Sequence, residues 1–411
     1  MHFFREENMK KILAILLAAL MILSLVACDS GKAEKEITME NIKIGLICLH
    51  DENSTYDANF INALKDAQKN LGLKDEQVKI VTNIPEDQEC LNKACELADD
   101  GCNIIFADSF GHEDFIMQAA QKYPDVQFCH ATGTNGKFAG IKNYHNAFAS
   151  IYEGRYLAGI AAGMKLNEMI AAGKITADKA VIGYVGAWPY AEVKSGYTSF
   201  FLGARSVCKT ATMKVKYTNS WFDIALEKEA AETLIADGCV LISQHADSEG
   251  APKACEAAGV PNVAYNISTI PMGPNTAIIS SKIDWAPYYE LCIKSVVEKK
   301  DIVADYCGTI ATGSVVLTEL NTKVAAEGTQ EAIDAAKAKI EAGELKVFAT
   351  DTWTKDGATL TEYIADVNAL DDSFKPETNV IHDGYFDESN ADSFRSAPYF
   401  DFIIDGITEL G

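Results

Sequence analysis

The chain is short of positive charge, lacks recognisable catalytic signatures, and carries no apolar run of full membrane-spanning length. Against 59 acidic residues stand 36 lysines and arginines, for a formal charge of −23. Phosphate backbones would be repelled, so no nucleic-acid partner is expected, and no polybasic patch is present to hold an anionic membrane. Histidine is scarce, at seven residues, and HExxH, GxSxG, a Walker loop and a well-formed GxGxxG are all missing. The expectation is therefore a chain that is not an enzyme and holds no cofactor and no metal. Eleven cysteines form no CxxC pair, and Cys90, Cys95 and Cys102 lack chelating spacing or a companion histidine. The apolar settings of Cys48, Cys129 and Cys292 point to buried free thiols rather than disulfides.

What is present begins at the N-terminus. Met9-Lys10-Lys11 is a short basic segment, residues 12–26 are almost unbroken apolar, and Leu25-Val26-Ala27-Cys28 closes the run. A spanning helix needs about 20 apolar residues. This shorter layout reads as a signal peptide over residues 1–28 that ends on a lipobox-like cysteine, with Cys28 lipidated and 29–40 a linker. With 48% apolar residues, the remainder is long enough for two domains with their own cores.

The body alternates β-rich runs with helical patterns, the mark of βαβ units on a parallel sheet. The alternation also repeats. KIGL at 43–46 matches VIGY at 181–184, VTN at 81–83 matches YTN at 217–219, and LADDGC at 97–102 matches LIADGC at 234–239. The offsets are 182 − 44 = 138, 218 − 82 = 136 and 238 − 101 = 137, so one α/β unit occurs twice. Two doubly wound parallel-sheet lobes place their ligand where the carboxyl ends of the strands face each other. The loops to watch are then 50–57 and 107–112 in the first copy, and 187–190, 219–223 and 244–250 in the second. Residues 153–165 read as a helix with a small-residue face suited to close packing, and 329–342 as an exposed helix. Beyond Asp351 the pattern loosens into an acidic, aromatic-rich tail of short elements.

The strand-end loops are rich in aromatics: Tyr56, Phe110, Trp188, Tyr190, Trp221 and Phe222. Stacking on such rings is worth ~1–3 kcal/mol per base and tolerates different planar ligands. The same loops carry Asp51, Asp57, Asp108, Asp247 and Asn266. Carboxylates there either accept paired hydrogen bonds from vicinal hydroxyls or cap helix N-termini, as Asp108 and Asp247 are placed to do. Lys282, at the end of an apolar strand, is a ligand donor or a hinge ion-pair partner. His50, His112 and His245 all fall near strand ends, where hydrogen bonding to ligand or loop packing is expected of them.

At these residues the chain resembles the basic membrane protein family of ABC-importer lipoproteins, which includes purine-nucleoside receptors. The resemblance runs from Ile42 to about Phe348. It rests on Ser54-Thr55-Tyr56-Asp57, on EGRYLAG at 153–159, on Gly183-Tyr184-Val185-Gly186, on Gly203-Ala204-Arg205, on Ser220-Trp221-Phe222-Asp223 and on Ser280-Ser281-Lys282. It implies a type I periplasmic-binding fold, with residues 41–145 plus 267–300 as lobe 1 and 146–266 plus 301–411 as lobe 2 with a C-terminal extension. It further implies capture of a nucleoside, with Tyr56 stacking on the base, Asp57 beside it, and Asn266 and Lys282 facing the sugar. Relative to the family, positions 57 and 266 exchange acid and amide, and HADSEG at 245–250 replaces a glycine-rich loop. Riboflavin or a sugar is the alternative ligand, and a nucleoside-hydrolysing surface enzyme the alternative function. The implied partners are an ABC permease and its ATPase, with the chain a lipid-anchored monomer on the extracytoplasmic face.

Overall fold

A computed structural model describes residues 36–366, 377–392 and 394–410. The signal segment and Cys28 lie outside the described residues. Five strands, β1 (Ile44–Ile47), β2 (Val78–Val81), β3 (Ile104–Ala107), β4 (Gln127–Ala131) and β5 (Tyr144–Ala149), alternate with helices α1 (Thr55–Leu71), α2 (Gln88–Asp99) and α3 (Glu113–Lys122). Strands β1 and β3 are buried at every residue, because a parallel sheet covered by helices on both faces needs apolar side chains in both directions.

The chain then crosses through α4 (Ile151–Ala171) into a second set: β6 (Val181–Gly186), α5 (Ala191–Val207), β7 (Thr212–Tyr217), α6 (Ile224–Ala236), β8 (Leu241–Gln244), α7 (Gly250–Ala258), β9 (Asn262–Tyr265) and β10 (Ala277–Ile283). Helix α8 (Ala286–Glu298) and β11 (Asp305–Gly308) return to the first lobe, while β12 (Val315–Leu317), α9 (Thr329–Glu341) and β13 (Ile407–Leu410) belong with the second. The sheets run β11-β5-β4-β3-β1-β2 and β12-β10-β9-β8-β6-β7-β13, parallel throughout except where β12 meets β10.

The duplication extends to the backbone. The order β2-β1-β3-β4 recurs as β7-β6-β8-β9. Asn83 and Asn219 both turn left-handed after their strands, with φ of 60° and 55°, and Gly101 and Gly238 do so after α2 and α6, at 86° and 87°. Asp87 and Asp223 cap those helices, each accepting from the backbone N–H two residues on.

The lobe boundaries differ from those read in the sequence. Strand β5 keeps the first lobe going to Ala149, β10 pairs with β9 and so moves 277–283 into the second sheet, and β11 takes 305–308 into the first. The run AIISSKI has the same apolar character wherever it docks, so only pairing decides its sheet.

Helices α4 and α5 cross with their backbones almost touching. A Cβ on Gly159 would fall 2.0 Å from the carbonyl oxygen of Phe200, and one on Gly203 would fall 2.0 Å from that of Tyr156. The residues beyond α9 form an aromatic cluster, in which Phe400 lies 4.8 Å from Phe348 and 4.3 Å from Phe402 between ring centroids. Strand β13 then closes the second sheet's edge, where Glu409 accepts the hydroxyls of Tyr197 (2.8 Å) and Tyr217 (2.6 Å). All ten cysteines among the described residues are free, and no helix there is long and apolar enough to cross a membrane.

Burial raises the carboxyls of Glu153 and Glu227 to about 7. An unfolded glutamate titrates at about 4.3, so across that interval the folded chain holds more protons and loses stability as pH rises. The unfolding midpoint is therefore expected to be higher at pH 5.5 than at pH 7.5. A midpoint that rises between those two values would contradict the assignment.

Candidate ligand site between the lobes

At the head of α1, Ser54 caps the helix by accepting from the Asp57 N–H (3.2 Å), and its own hydroxyl donates to Asp57 Oδ2 (2.6 Å). The Asp57 carboxylate also accepts the backbone N–H of His50 at 2.7 Å. Burial pushes this carboxyl up, but the hydrogen bonds from His50 and Ser54 outweigh it and hold the group below its usual range. Asp57 is thus an anion, oriented on the edge of a cavity of about 390 Å³ that both lobes line. A volume of that order suits one small ligand.

Aromatic rings come to the cavity from both sides. Tyr56 enters from the first lobe, its hydroxyl donating to the Asp108 carbonyl at 2.7 Å. Phe110 and Tyr190, 42% and 45% exposed, approach across the cleft with ring centroids 5.9 Å apart. Trp221 lies 5.9 Å from Tyr190 and lines the cavity as well.

The second lobe's polar wall is assembled from behind. Arg155, fully buried in α4, donates through Nη1 to the Gln244 carbonyl (2.8 Å) and through Nη2 to His245 Nδ1 (3.1 Å), and its guanidinium sits 3.5 Å over the Tyr265 ring. An arginine has no acceptor, so His245 Nδ1 is unprotonated and its Nε2–H donates to Glu192 Oε2 at 2.8 Å. The relay Arg155–His245–Glu192 thereby fixes a carboxylate on the cavity wall. Beside it, Asp247 Oδ1 accepts from Asn266 Nδ2 at 2.9 Å, and the Asp247 carbonyl accepts the Thr55 N–H of the first lobe at 2.7 Å. Burial, with the nearby charges of Glu227, Asp57 and Glu192, pushes the Asp247 carboxyl well above its ordinary value. Asp247 is thus pushed toward its protonated form, while Asp57 is held toward the anion.

Of the residues singled out from the sequence, His50, Tyr56, Asp57, Phe110, Tyr190, Trp221, His245 and Asp247 do line the cavity. Seven others do not, Phe222 and His112 among them. Asp51 folds its own turn, accepting from the Asn53 backbone at 3.0 Å. Asp108 is buried beneath the floor, its Oδ1 on the Leu49 N–H at 3.2 Å. Trp188 stacks on Tyr190 (6.0 Å, 13°) and packs into the second lobe's core. Asn266 stands behind Asp247 with a left-handed φ of 69°, and half-buried Lys282 is held in β10 opposite Val316. A strand-end position alone does not say which side of the sheet a side chain takes, and one residue of offset reverses it. His112 is buried on the Ile84 carbonyl (2.9 Å), and burial lowers its imidazole to about 4.

Sequence reading missed Glu192, whose only signal was its place in the first turn of a helix after a strand-end loop. It also missed Arg395, Pro398 and Asp401 of the C-terminal segment, which no repeat or motif marks. Beneath the floor, one ligand atom each from Cys48, Asp57 and Asp108 lie within 4.8 Å of one another. Burial, with the neighbouring charge of Asp57, pushes the Cys48 thiol and the Asp108 carboxyl well above their ordinary values.

Comparison with known proteins adds four findings. Residues 46–348 match a family described as ABC transporter substrate-binding protein, PnrA-like. A protein of Haloferax volcanii named as an ABC transporter glucose-binding protein is 34% identical over 265 residues, which are 64% of this chain and 63% of that one. A purine-binding protein of Brucella abortus is 31% identical over 322 residues, 78% of this chain and 86% of its own. Among solved structures, an ABC transporter solute-binding protein from Aeropyrum pernix superposes with a TM-score of 0.62 at 17% identity, covering 75% of this chain and 93% of that one.

Proposed function

The chain belongs to the PnrA-like family of ABC transporter substrate-binding proteins, and from that premise we propose that it captures a purine nucleoside in the interlobe cavity and delivers it, unchanged, to its importer's permease. Such proteins work on the extracytoplasmic side of the membrane, and retention there by a lipid on Cys28 is part of this reading. The observation that carries it is a cavity whose rings come from both lobes, Tyr56 and Phe110 against Tyr190 and Trp221, beside the fixed carboxylates of Asp57 and Glu192. A planar base fits between such rings. Ribose hydroxyls are donors that an anionic carboxylate accepts in pairs. The purine-binding name of the Brucella relative favours the same ligand, and the glucose-binding name of the Haloferax relative makes a sugar the competitor.

Closure of the lobes is the mechanism this reading requires. Ligand contacts shared between lobes favour the closed state, which the Thr55–Asp247 backbone bond already joins across the cleft. Tyr190→Ala is expected to weaken nucleoside binding by about 1–3 kcal/mol, while Trp188→Ala, outside the cavity, costs less than ~1 kcal/mol. Calorimetric affinities of the two variants test this. Equal losses, or none in Tyr190→Ala, would rule out stacking on that ring.

A further inference from the structure

We propose that Arg395, carried on the C-terminal segment, contacts the ligand and selects a 6-oxopurine over a 6-aminopurine; this rests on the nucleoside reading above. The family match ends at residue 348, yet Arg395, Ala397, Pro398 and Asp401 complete the cavity wall. The segment is pinned to both lobes. Ser396, fully buried, donates its N–H to Asp305 Oδ2 (2.8 Å) and its hydroxyl to Oδ1 (2.5 Å), and accepts from Asn146 Nδ2 (3.2 Å), all in the first lobe. A few residues on, the Asp405 carbonyl accepts from Arg205 at 3.1 Å and β13 pairs with β7 of the second lobe. A segment so held at both ends presents its side chains at set positions.

Among the described residues, one donor of Arg395, its Nε, has no acceptor. Its guanidinium lies 4.4 Å over the Tyr399 ring and its Nη2 donates to the Pro398 carbonyl at 3.2 Å. That Nε is buried, and no carboxylate reaches ion-pair distance among the described residues. A half-desolvated guanidinium is costly unless something pairs with its fork of donors. The O6 and N7 atoms of an oxopurine are two acceptors on one edge, and they match that fork. An aminopurine keeps N7 but turns an N–H donor toward the fork in place of O6. Asp57, Glu192 and Asp401 border the same cavity, so a neutral ligand is favoured there over an anionic nucleotide.

The test is calorimetry on the full chain, unfolded and refolded to strip bound ligand, with inosine, adenosine, unsubstituted purine riboside and inosine monophosphate. Inosine is expected to bind about 5- to 150-fold more tightly than adenosine or purine riboside. Arg395→Gln should cut that preference to about 3-fold or less. Arg395→Lys keeps the charge and the packing stem but not the fork, and should lose most of the preference with the unfolding midpoint unchanged. The inference is overturned if purine riboside matches inosine on the unaltered chain, or if both variants keep the full preference. Tightest binding of the monophosphate would make Arg395 a phosphate reader and overturn it too. Should the unaltered chain bind glucose and no purine nucleoside, the parent reading has failed, a different result from loss of the oxo preference alone.

Discussion

Replacing Gly159 with alanine should lower the unfolding midpoint by more than about 5 °C, whereas the same change at Gly196 should leave it level or raise it slightly. The contrast isolates the crossing of α4 and α5. At Gly159 a new Cβ would sit 2.0 Å from the Phe200 carbonyl oxygen and 3.0 Å from the Ala204 nitrogen, both backbone atoms that cannot swing aside. Two helices that meet on glycine must then move apart, and overpacking of that kind costs about 3 kcal/mol or more. At Gly196 the nearest atoms to a new Cβ lie 3.6 Å away, an ordinary contact, and alanine gains about 0.5–1 kcal/mol in helix propensity. Scanning calorimetry of both variants decides the matter. Equal midpoints would mean that the crossing yields without cost. Because Arg155 precedes Gly159 by one turn of α4, the displaced helix should also carry the polar relay out of position.

The relay has its own expected result: Arg155→Met should weaken nucleoside binding about 30-fold, although residue 155 does not line the cavity. Methionine fills much of the arginine's volume and adapts to the gap. It leaves the Gln244 carbonyl and His245 Nδ1 without their donor, so the imidazole is free to exchange tautomers and no longer fixes its Nε2–H on Glu192. The loss is one of positioning. A titration of the variant, with near-ultraviolet circular dichroism to show that packing survives, separates this from unfolding. Unchanged affinity in a folded variant would remove the relay from the binding account.

Much of the architecture was legible because the duplication is written into local chemistry. An Asp that caps, a Gly that turns left-handed and an Asn that ends a strand recur at one offset, and each residue type is demanded by its own backbone geometry. The destination of 277–283 was not legible, since an apolar strand docks equally well on either sheet until partners are known. Within the site, Tyr56, Asp57 and Tyr190 followed from strand-end loops. Asp108 and Asn266 occupy such loops too, yet turn beneath the floor or behind Asp247, and loop position carries no signal of that choice. Lys282, at a strand's end, lies outside the cavity's lining in the same unannounced way. Arg395 was hidden for another reason. Its approach depends on Asp305 and β7, residues far off in sequence that hold the tail in place.

The central claim is that one purine nucleoside binds between the lobes. Its most direct test is calorimetric titration of the stripped full chain with inosine, guanosine, adenosine, uridine, riboflavin and glucose. The account predicts saturable heat at roughly one ligand per chain for a purine nucleoside, lost in large part on Tyr190→Ala. Saturable binding of glucose or riboflavin, with silence for every nucleoside, would contradict it.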